Sequence, residues 1–200
     1  MIQVINEGFW KGWWVERRED WKQGYLSTLN HPHRDKIIEL LKQWDFDSVL
    51  ELGCNAAPNL VRIKQSFPLV KVGGIDINED SIEEAKKILP EAELIAGVAE
   101  VLPFPDKSYD VILTDATLIY LNWYEIERCI KEIKRVGRKY VLFVEFLTRT
   151  NALLENLYSR NYDELLKDFD FKDVKCQKMA KEDWDDEFWQ KYGYYITAKI

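Results

Sequence analysis

Between about residues 30 and 169, short runs of apolar residues alternate with longer segments whose apolar positions recur every three or four residues. Short apolar runs bounded by Gly, Pro or Asp are typical of buried strands, and the longer period is typical of amphipathic helices. The alternation predicts a doubly wound α/β domain. The predicted strands are 49–52, 69–75, 93–96, 108–114 and 140–146, followed by a closing antiparallel pair, 172–179 and 194–200. The predicted helices are 32–44, 59–67, 81–89, 122–136 and 161–169.

The first predicted strand ends in a tight turn, in a stretch of sequence VLELGCNAAPNL at 49–60. A strand, a turn and a helix N-terminus in this order bring backbone N–H groups to the sheet edge where α/β folds bind ligands. Gly53 lets the backbone approach a ligand closely, and Asn55 tolerates left-handed backbone angles. A dinucleotide-binding fingerprint would require G-x-G-x-x-G here, so one glycine is a weak match. Glu51 would repel a pyrophosphate, but it suits a ligand with an ammonium, a sulfonium and hydroxyls.

Three stretches resemble motifs of the class I S-adenosylmethionine (SAM)-dependent methyltransferases. VLELGCNAAPNL resembles their first motif, acidic-x-Gly-x-Gly-x-Gly, with Asn55 and Ala57 replacing the second and third glycines. GIDIN resembles the second motif. Its Asp76 ends the second predicted strand roughly 20 residues past the glycine turn, where a carboxylate can accept hydrogen bonds from ribose hydroxyls. Residues 97–106 resemble the family's loop beside the adenine, with Val98 where the family has an acidic residue.

The resemblance covers roughly residues 47–200. It implies a Rossmann-like doubly wound sheet of seven strands, the last one antiparallel, with helices on both faces. Residues 1–46 are predicted to form a helical, aromatic-rich cap that belongs to the same domain. Within this cap, residues 1–29 hold many aromatic side chains and charges of both signs. Two interpretations remain open for them, packing onto the domain and a lid that covers the ligand.

The resemblance also implies a SAM site. Glu51 would orient the methionine end, Asp76 would hold the ribose and Ile77 would pack against the adenine. Asp115 would lie near the methionyl ammonium. Because Val98 replaces the expected acidic residue, Glu100 or the backbone of Ala99 and Glu100 would contact the adenine. The predicted cofactor-binding residues are Glu51, Gly53, Cys54, Asn55, Asp76, Ile77, Ala99, Glu100, Asp115 and Ala116.

The reaction centre is predicted beyond the fourth strand, where residues 115–120 follow its carboxyl end. A general base is needed only if the acceptor must lose a proton. Its candidates are Tyr120, His31, His33 and Glu145. Both histidines lie in the pentapeptide 30–34, where helix capping and surface polarity compete with a role in the site. The sequence shows no third ligand beside them, so no metal site is predicted.

An acidic run, 182–187, lies between the last two predicted strands. A run of this kind is usually a solvated loop, and a solvated loop is predicted here. The alternative is an acidic rim that attracts a cationic acceptor.

The composition excludes several classes of protein. The 200 residues carry a net charge of −7, which disfavours a nucleic-acid partner because such partners require a basic face. No apolar run is long enough to span a bilayer, and the N-terminus lacks the pattern of a secretory signal. The three widely separated cysteines, Cys54, Cys129 and Cys176, indicate reduced thiols and a cytoplasmic protein.

The sequence therefore predicts an enzyme that transfers the methyl group of SAM to a small molecule or to a protein side chain. Two other functions stay open. A Rossmann oxidoreductase of the NAD type would use the same topology, although Glu51 and the missing glycines count against it. A protein that binds SAM without transferring its methyl group would share the motifs.

Overall fold

The computed structural model describes residues 28–154 and 157–200, and the predictions made for 1–27, including the lid, lie outside these residues. The strands are β1 Ser48–Leu52, β2 Lys71–Asp76, β3 Glu93–Ala96, β4 Tyr109–Asp115, β5 Gly137–Phe146, β6 Ala152–Leu154, β7 Leu157–Ser159, β8 Lys172–Lys178 and β9 Gly193–Lys199. The helices are α1 Pro32–Leu41, α2 Pro58–Ser66, α3 Glu79–Ile88, α4 Trp123–Val136, α5 Tyr162–Asp168 and α6 Glu187–Tyr192. Short 3₁₀ turns span Thr28–Asn30 and Leu118–Tyr120.

Seven strands form one sheet in the order β3-β2-β1-β4-β5-β9-β8. Strands β1 to β5 are parallel, and β9 runs antiparallel to both of its neighbours, β5 and β8. The predicted seven-stranded sheet with an antiparallel last strand is therefore confirmed. Strands β6 and β7 form a separate two-stranded antiparallel sheet that the sequence pattern did not predict.

The central strands are covered on both faces, which explains why they are apolar throughout. Every residue of β1 is buried, and the first six residues of β4 are buried. Alternate side chains enter opposite cores, so Val49 packs with Leu60 on one face while Leu50 packs with Ile130 on the other. The sheet thus forms the middle of three layers.

Helix α1 belongs to the main core although it precedes the first strand. Ile37 and Leu41 are 1% and 0% exposed and pack in the same cluster as β1 and α2. Helix α1, in the described part of the predicted cap, therefore packs against the same core as the sheet. This packing holds the residues at the start of α1 against the carboxyl ends of β1 and β4.

The acidic run is only partly the solvated loop that was predicted. Glu182 and Asp185 are exposed, but the side chain of Trp184 is half-buried and stacks on Trp189 with ring centroids 4.2 Å apart. Asp186 accepts hydrogen bonds from the backbone of Phe188 and Trp189 and so caps α6. The prediction missed α6 because a six-residue helix shows too little periodicity.

The order of the strands reverses between β1 and β4, since β2 lies on one side of β1 and β4 on the other. Ligands in open α/β sheets bind beyond the carboxyl ends of the strands at such a reversal. No helix within residues 28–154 and 157–200 is long and apolar enough to cross a membrane.

Candidate functional site

A cavity of about 470 Å³ opens at the carboxyl ends of β1, β2 and β4. This volume lies in the range of pockets that hold small ligands. All ten predicted cofactor-binding residues line it, together with His31 and Tyr120. Its walls also include six residues that the sequence did not identify: Thr28, Asn59, Phe146, Leu157, Trp184 and Trp189.

The turn after β1 has left-handed backbone angles at three alternate positions. The φ angles are 71° at Gly53, 47° at Asn55 and 63° at Ala57, the positions of the three glycines in the family motif. Asn55 therefore adopts the conformation proposed for it. A Cβ atom on Gly53 would lie 2.0 Å from Oγ1 of Thr117, so only glycine fits there. The turn is joined to β2 because the backbone N–H groups of Gly53 and Cys54 donate to the carbonyl of Ile75.

Asp76 lies at the end of β2 and is tied to the same turn. Its carboxylate accepts the backbone N–H of Asn55 at 2.8 Å and that of Asn78 at 2.8 Å. Burial raises the pKa of Asp76, and these two hydrogen bonds oppose the rise. A carboxylate can accept about four hydrogen bonds, so Asp76 retains acceptor capacity toward the cavity. Beside it, Ile77, Val98 and Ala99 form an apolar wall.

A polar cluster lies at the other end of the cavity. The amide nitrogen of Asn59 donates to Oε1 of Glu51 at 2.6 Å and to Oδ2 of Asp115 at 2.9 Å. Arg34 contacts Oδ2 of Asp115 at 3.3 Å, bonds the amide oxygen of Asn59, and donates through Nε to the carbonyl of Thr28 at 2.9 Å. The cluster joins the start of α1 to the ends of β1 and β4.

The two carboxylates in this cluster have opposite pKa shifts. Burial raises the pKa of Glu51 well above its usual value, and the negative charge of Asp115 adds to the rise. Burial also opposes ionisation of Asp115, but His33, Arg34 and Asn59 together hold its pKa below the usual range. Asp115 is therefore ionised at neutral pH.

Two buried oxygens of these carboxylates lack a hydrogen bond. Within the part of the chain that the structure describes, Oε2 of Glu51 and Oδ1 of Asp115 have no partner. Unpaired buried acceptors are costly, so their presence in a cavity indicates a ligand that donates. A ligand ammonium group, which carries positive charge and three donors, fits this pair of oxygens.

The histidines form a chain of contacts with Asp115. Nε2 of His33 lies 2.9 Å from Oδ2 of Asp115, and Nδ1 of His33 lies 2.5 Å from Nδ1 of His31. Trp184 stacks on the His33 ring at 4.3 Å between centroids. Burial lowers the pKa of His31, and the neighbouring charges of His33 and Arg34 lower it further.

Of the other two predicted general bases, Tyr120 and Glu145, only Tyr120 is at the cavity. Tyr120 lines the cavity, and burial together with the nearby charge of Glu145 raises its pKa to about 12. Glu145 is fully buried and is not among the residues that line the cavity. Its carboxylate accepts the backbone N–H groups of Thr117, Leu118 and Ile119 at 3.0, 3.0 and 3.1 Å. The structure therefore places Glu145 in support of the 3₁₀ turn rather than in the site.

Sequence reasoning missed Arg34 as a partner of Asp115, Asn59 as a bridge and Trp184 as a wall. Arg34 and Asn59 both lie in stretches that were singled out, but their partners come from distant parts of the chain. Neither side chain has a sequence signal that identifies its partner. Within residues 28–154 and 157–200, no group of three or more His, Cys, Asp or Glu side chains could hold a metal ion.

Comparisons with known proteins find similarity to methyltransferases. Residues 49–139 match the model of a methyltransferase domain. The chain is 29% identical over 106 residues to the demethylmenaquinone methyltransferase of Thermotoga maritima, covering 53% of this chain and 45% of that protein. It is 30% identical over 122 residues to the malonyl-[acyl-carrier protein] O-methyltransferase of Priestia megaterium, covering 59% and 43%. The matched region thus spans less than half the length of either relative.

Among solved structures, a SAM-dependent methyltransferase from Aquifex aeolicus has the same fold, with a TM-score of 0.67 and 20% identity. The superposition covers 87% of this chain and 93% of that one. At this identity the likeness concerns the fold.

Proposed function

We propose that this chain, whose residues 49–139 match the model of a methyltransferase domain, transfers the methyl group of SAM to a small molecule or to a protein side chain. The observation that carries the proposal is the cavity itself, because it joins a ribose-type acceptor, Asp76, to a pair of unpaired buried carboxylate oxygens. The end with Asp76 and its apolar wall suits the adenosine part of SAM. The end with Glu51 and Asp115 suits the methionyl part.

The proposed binding roles follow from the chemistry of each group. Asp76 accepts hydrogen bonds from the ribose hydroxyls, and Ile77, Val98 and Ala99 pack against the adenine. The unpaired oxygens of Glu51 and Asp115 accept from the methionyl ammonium. Arg34, the only Lys or Arg side chain among the described residues that line the cavity, pairs with the methionyl carboxylate.

SAM supplies a methyl group on a positively charged sulfur. The residues of this chain contribute by binding, by orientation and by keeping water away from the site. The turn at Gly53 lets the backbone approach the ligand, while Ile119, Tyr120 and Phe146 close the opposite side with mostly apolar surface. The charge of Asp115 lies where it stabilises a cationic ligand, and Asn59 holds its carboxylate in place.

The experiment that tests the proposal is calorimetric titration with SAM and with its demethylated product. Micromolar binding to the wild type is expected, and Asp76→Ala should weaken it by about tenfold to a hundredfold, because hydrogen bonds to a charged group contribute roughly 1.5–3 kcal/mol. Asp106→Ala serves as the control, since Asp106 is an exposed residue paired only with Arg135 among the described residues.

Absence of binding to the folded wild-type protein would refute the proposal. Binding that Asp76→Ala and Asp106→Ala weaken equally would refute the assignment of the ribose to Asp76. The relatives named above act on different acceptors, so their names do not identify the acceptor of this protein.

A further inference from the structure

The contacts of His31, His33 and Asp115 have a directional order. Nε2 of His33 faces a carboxylate that is ionised, so this nitrogen carries a proton and donates to Oδ2 of Asp115. When His33 is neutral, its Nδ1 is therefore an acceptor. The short contact to His31 requires a donor on the other side, so Nδ1 of His31 carries the proton.

This arrangement fixes the protonation of the remaining ring nitrogen, Nε2 of His31. A neutral His31 protonated at Nδ1 has a lone pair at Nε2, and no described residue forms a hydrogen bond with that atom. Both rings line the cavity, and His33, at 2% exposed, has both of its ring nitrogens in contact with other residues. The pair therefore presents one basic nitrogen at the cavity and holds it in a fixed orientation.

Charged and aromatic groups surround the pair. Asp115 at the end of β4 contacts Nε2 of His33, and Arg34 on α1 contacts the same carboxylate oxygen. Trp184 covers both rings, at 4.3 Å from His33 and 4.8 Å from His31. Glu51 is separated from the histidines by Asn59, which bonds both carboxylates. The pKa of His31 is lowered, so the ring is neutral at pH 7.

The walls beside His31 are apolar and aromatic. They are formed by Ile119, Phe146, Leu157, Trp184 and Trp189. Flat apolar surface of this kind packs against a planar or hydrocarbon body. A carboxylate acceptor needs no base, because it has no proton to lose at neutral pH.

We propose that the methyl acceptor is a hydroxyl group on an apolar, planar molecule, and that His31 takes its proton while His33 and Asp115 position His31. The proposal rests on the proposed methyl transfer and specifies its substrate class. In the step, the hydroxyl oxygen forms a bond to the methyl carbon and the carbon–sulfur bond breaks, leaving its electron pair on sulfur. The hydroxyl proton passes to Nε2 of His31, and the resulting charge is shared with His33 beside Asp115.

The first test is nitrogen NMR of protein labelled with ¹⁵N-histidine, which needs no acceptor. The chain has two histidines, so the ring spectrum contains only His31 and His33, and His31→Gln assigns them. We expect His31 protonated at Nδ1 and His33 at Nε2 near pH 7.5. Asp115→Asn should convert His33 to a mixture of tautomers, and the exposed control Asp106→Asn should change neither ring.

The second test adds three probes with one ring system to the protein saturated with the demethylated product of SAM. They are 2-naphthol, 2-naphthoate and 2-naphthylmethylamine. We expect 2-naphthol to shift the resonance of Nε2 of His31 upfield, as a new hydrogen bond does, and the other two to leave it unchanged. A shift caused by 2-naphthol alone supports the proposal.

Three results would overturn it: independent titration of two histidines with mixed tautomers, no shift of Nε2 with 2-naphthol, or a larger shift with the amine or the carboxylate. Calorimetry on the same samples separates this from failure of the proposed function. If the SAM product binds and His31 stays unchanged, only the acceptor assignment fails. If the product does not bind to the folded protein, the proposed function fails and this inference fails with it.

Discussion

Gly53 is the residue in the turn after β1 for which the structure allows no side chain. Its φ angle of 71° is left-handed, and a Cβ atom would lie 2.0 Å from Oγ1 of Thr117. That hydroxyl in turn donates to the carbonyl of Leu52 at 3.0 Å, which fixes it in place. Asn55 and Ala57 adopt similar angles, so the absence of two family glycines does not change the path of the turn.

We therefore expect Gly53→Ala to destabilise the protein and to abolish SAM binding. The left-handed angle alone costs of order 1–3 kcal/mol for a residue with a Cβ atom, and the contact with Thr117 adds to this. Urea unfolding of Gly53→Ala, Thr117→Ala and the double variant measures the cost of the backbone angle and the cost of the contact with Thr117. The cost of Gly53→Ala should be smaller in the Thr117→Ala background, and equal costs would show that no steric contact exists.

At this scale the sequence predicted some features and not others. The left-handed angle at Asn55 followed from its position in the motif and from the side chain's tolerance of that conformation. The bonds of Arg34 and Asn59 to Asp115 could not be predicted. They depend on how α1 packs against α2, and this packing is set by apolar contacts that many orientations satisfy.

Among the elements, the 3₁₀ turn Leu118–Tyr120 contributes directly to the cavity wall, and a buried carboxylate binds its backbone N–H groups. Glu145 accepts the backbone N–H groups of Thr117, Leu118 and Ile119. Burial raises its pKa from 4.5 to about 7, and the hydrogen bonds oppose the rise. In the unfolded chain the same group has its ordinary pKa.

These values predict a pH dependence of stability with a definite sign. Between pH 4.5 and about 7 the folded state binds more protons at Glu145 than the unfolded state, so the contribution of this residue to the free energy of unfolding falls as pH rises. A difference of two to three pKa units corresponds to about 3 kcal/mol. Glu51 and Asp76 act in the same direction because their pKa values are also raised.

Glu145→Gln isolates the contribution of this residue. We expect urea unfolding between pH 4.5 and 8 to show a shallower decline in the free energy of unfolding for the variant than for the wild type. The absolute stability of the variant is expected to be lower, because the Gln side chain has one acceptor oxygen for three N–H groups. Identical slopes for both proteins would show that Glu145 keeps its ordinary pKa.

Helix α6 is an element that the sequence did not predict, because it is too short to show a periodic pattern. Asp186 caps it through two hydrogen bonds of 2.9 Å, and its Trp189 packs against Trp184, which covers the two histidines. The longer helices and the strands were predicted within a few residues, because their apolar patterns repeat. Six residues among acidic neighbours carry no comparable pattern, and the tryptophan stack is a tertiary contact.

We expect Asp186→Ala to destabilise the protein by about 1 kcal/mol, the usual cost of losing a helix N-cap. Asp185→Ala is the matched control, because Asp185 is the adjacent exposed carboxylate with the same charge. The free energies of unfolding of the two variants, measured in urea, should differ by that amount. Equal values would indicate that charge in this segment, rather than capping, sets its stability.

At the scale of the whole molecule, the cavity joins parts that are far apart in sequence. Its walls come from α1 near residue 31, from the ends of β1, β2 and β4, and from the segment around Trp184. A ligand in this cavity therefore contacts both the start of α1 and the segment that joins β8 to β9. The α/β alternation predicted the sheet, but not that both ends of the described chain meet over it.

This arrangement predicts that SAM stabilises the domain as one unit. At a concentration of 100 times Kd, a ligand that binds only the folded state raises the free energy of unfolding by about 2.7 kcal/mol, which corresponds to roughly 5–10 °C in Tm for a domain of this size. Differential scanning calorimetry should show one transition that moves upward as a whole. Asp76→Ala should show a much smaller shift at the same SAM concentration, whereas Asp106→Ala should match the wild type. If the transition instead splits and SAM moves only part of it, the ligand stabilises only one part of the domain. That result would contradict a cavity whose walls come from both α1 and the segment around Trp184.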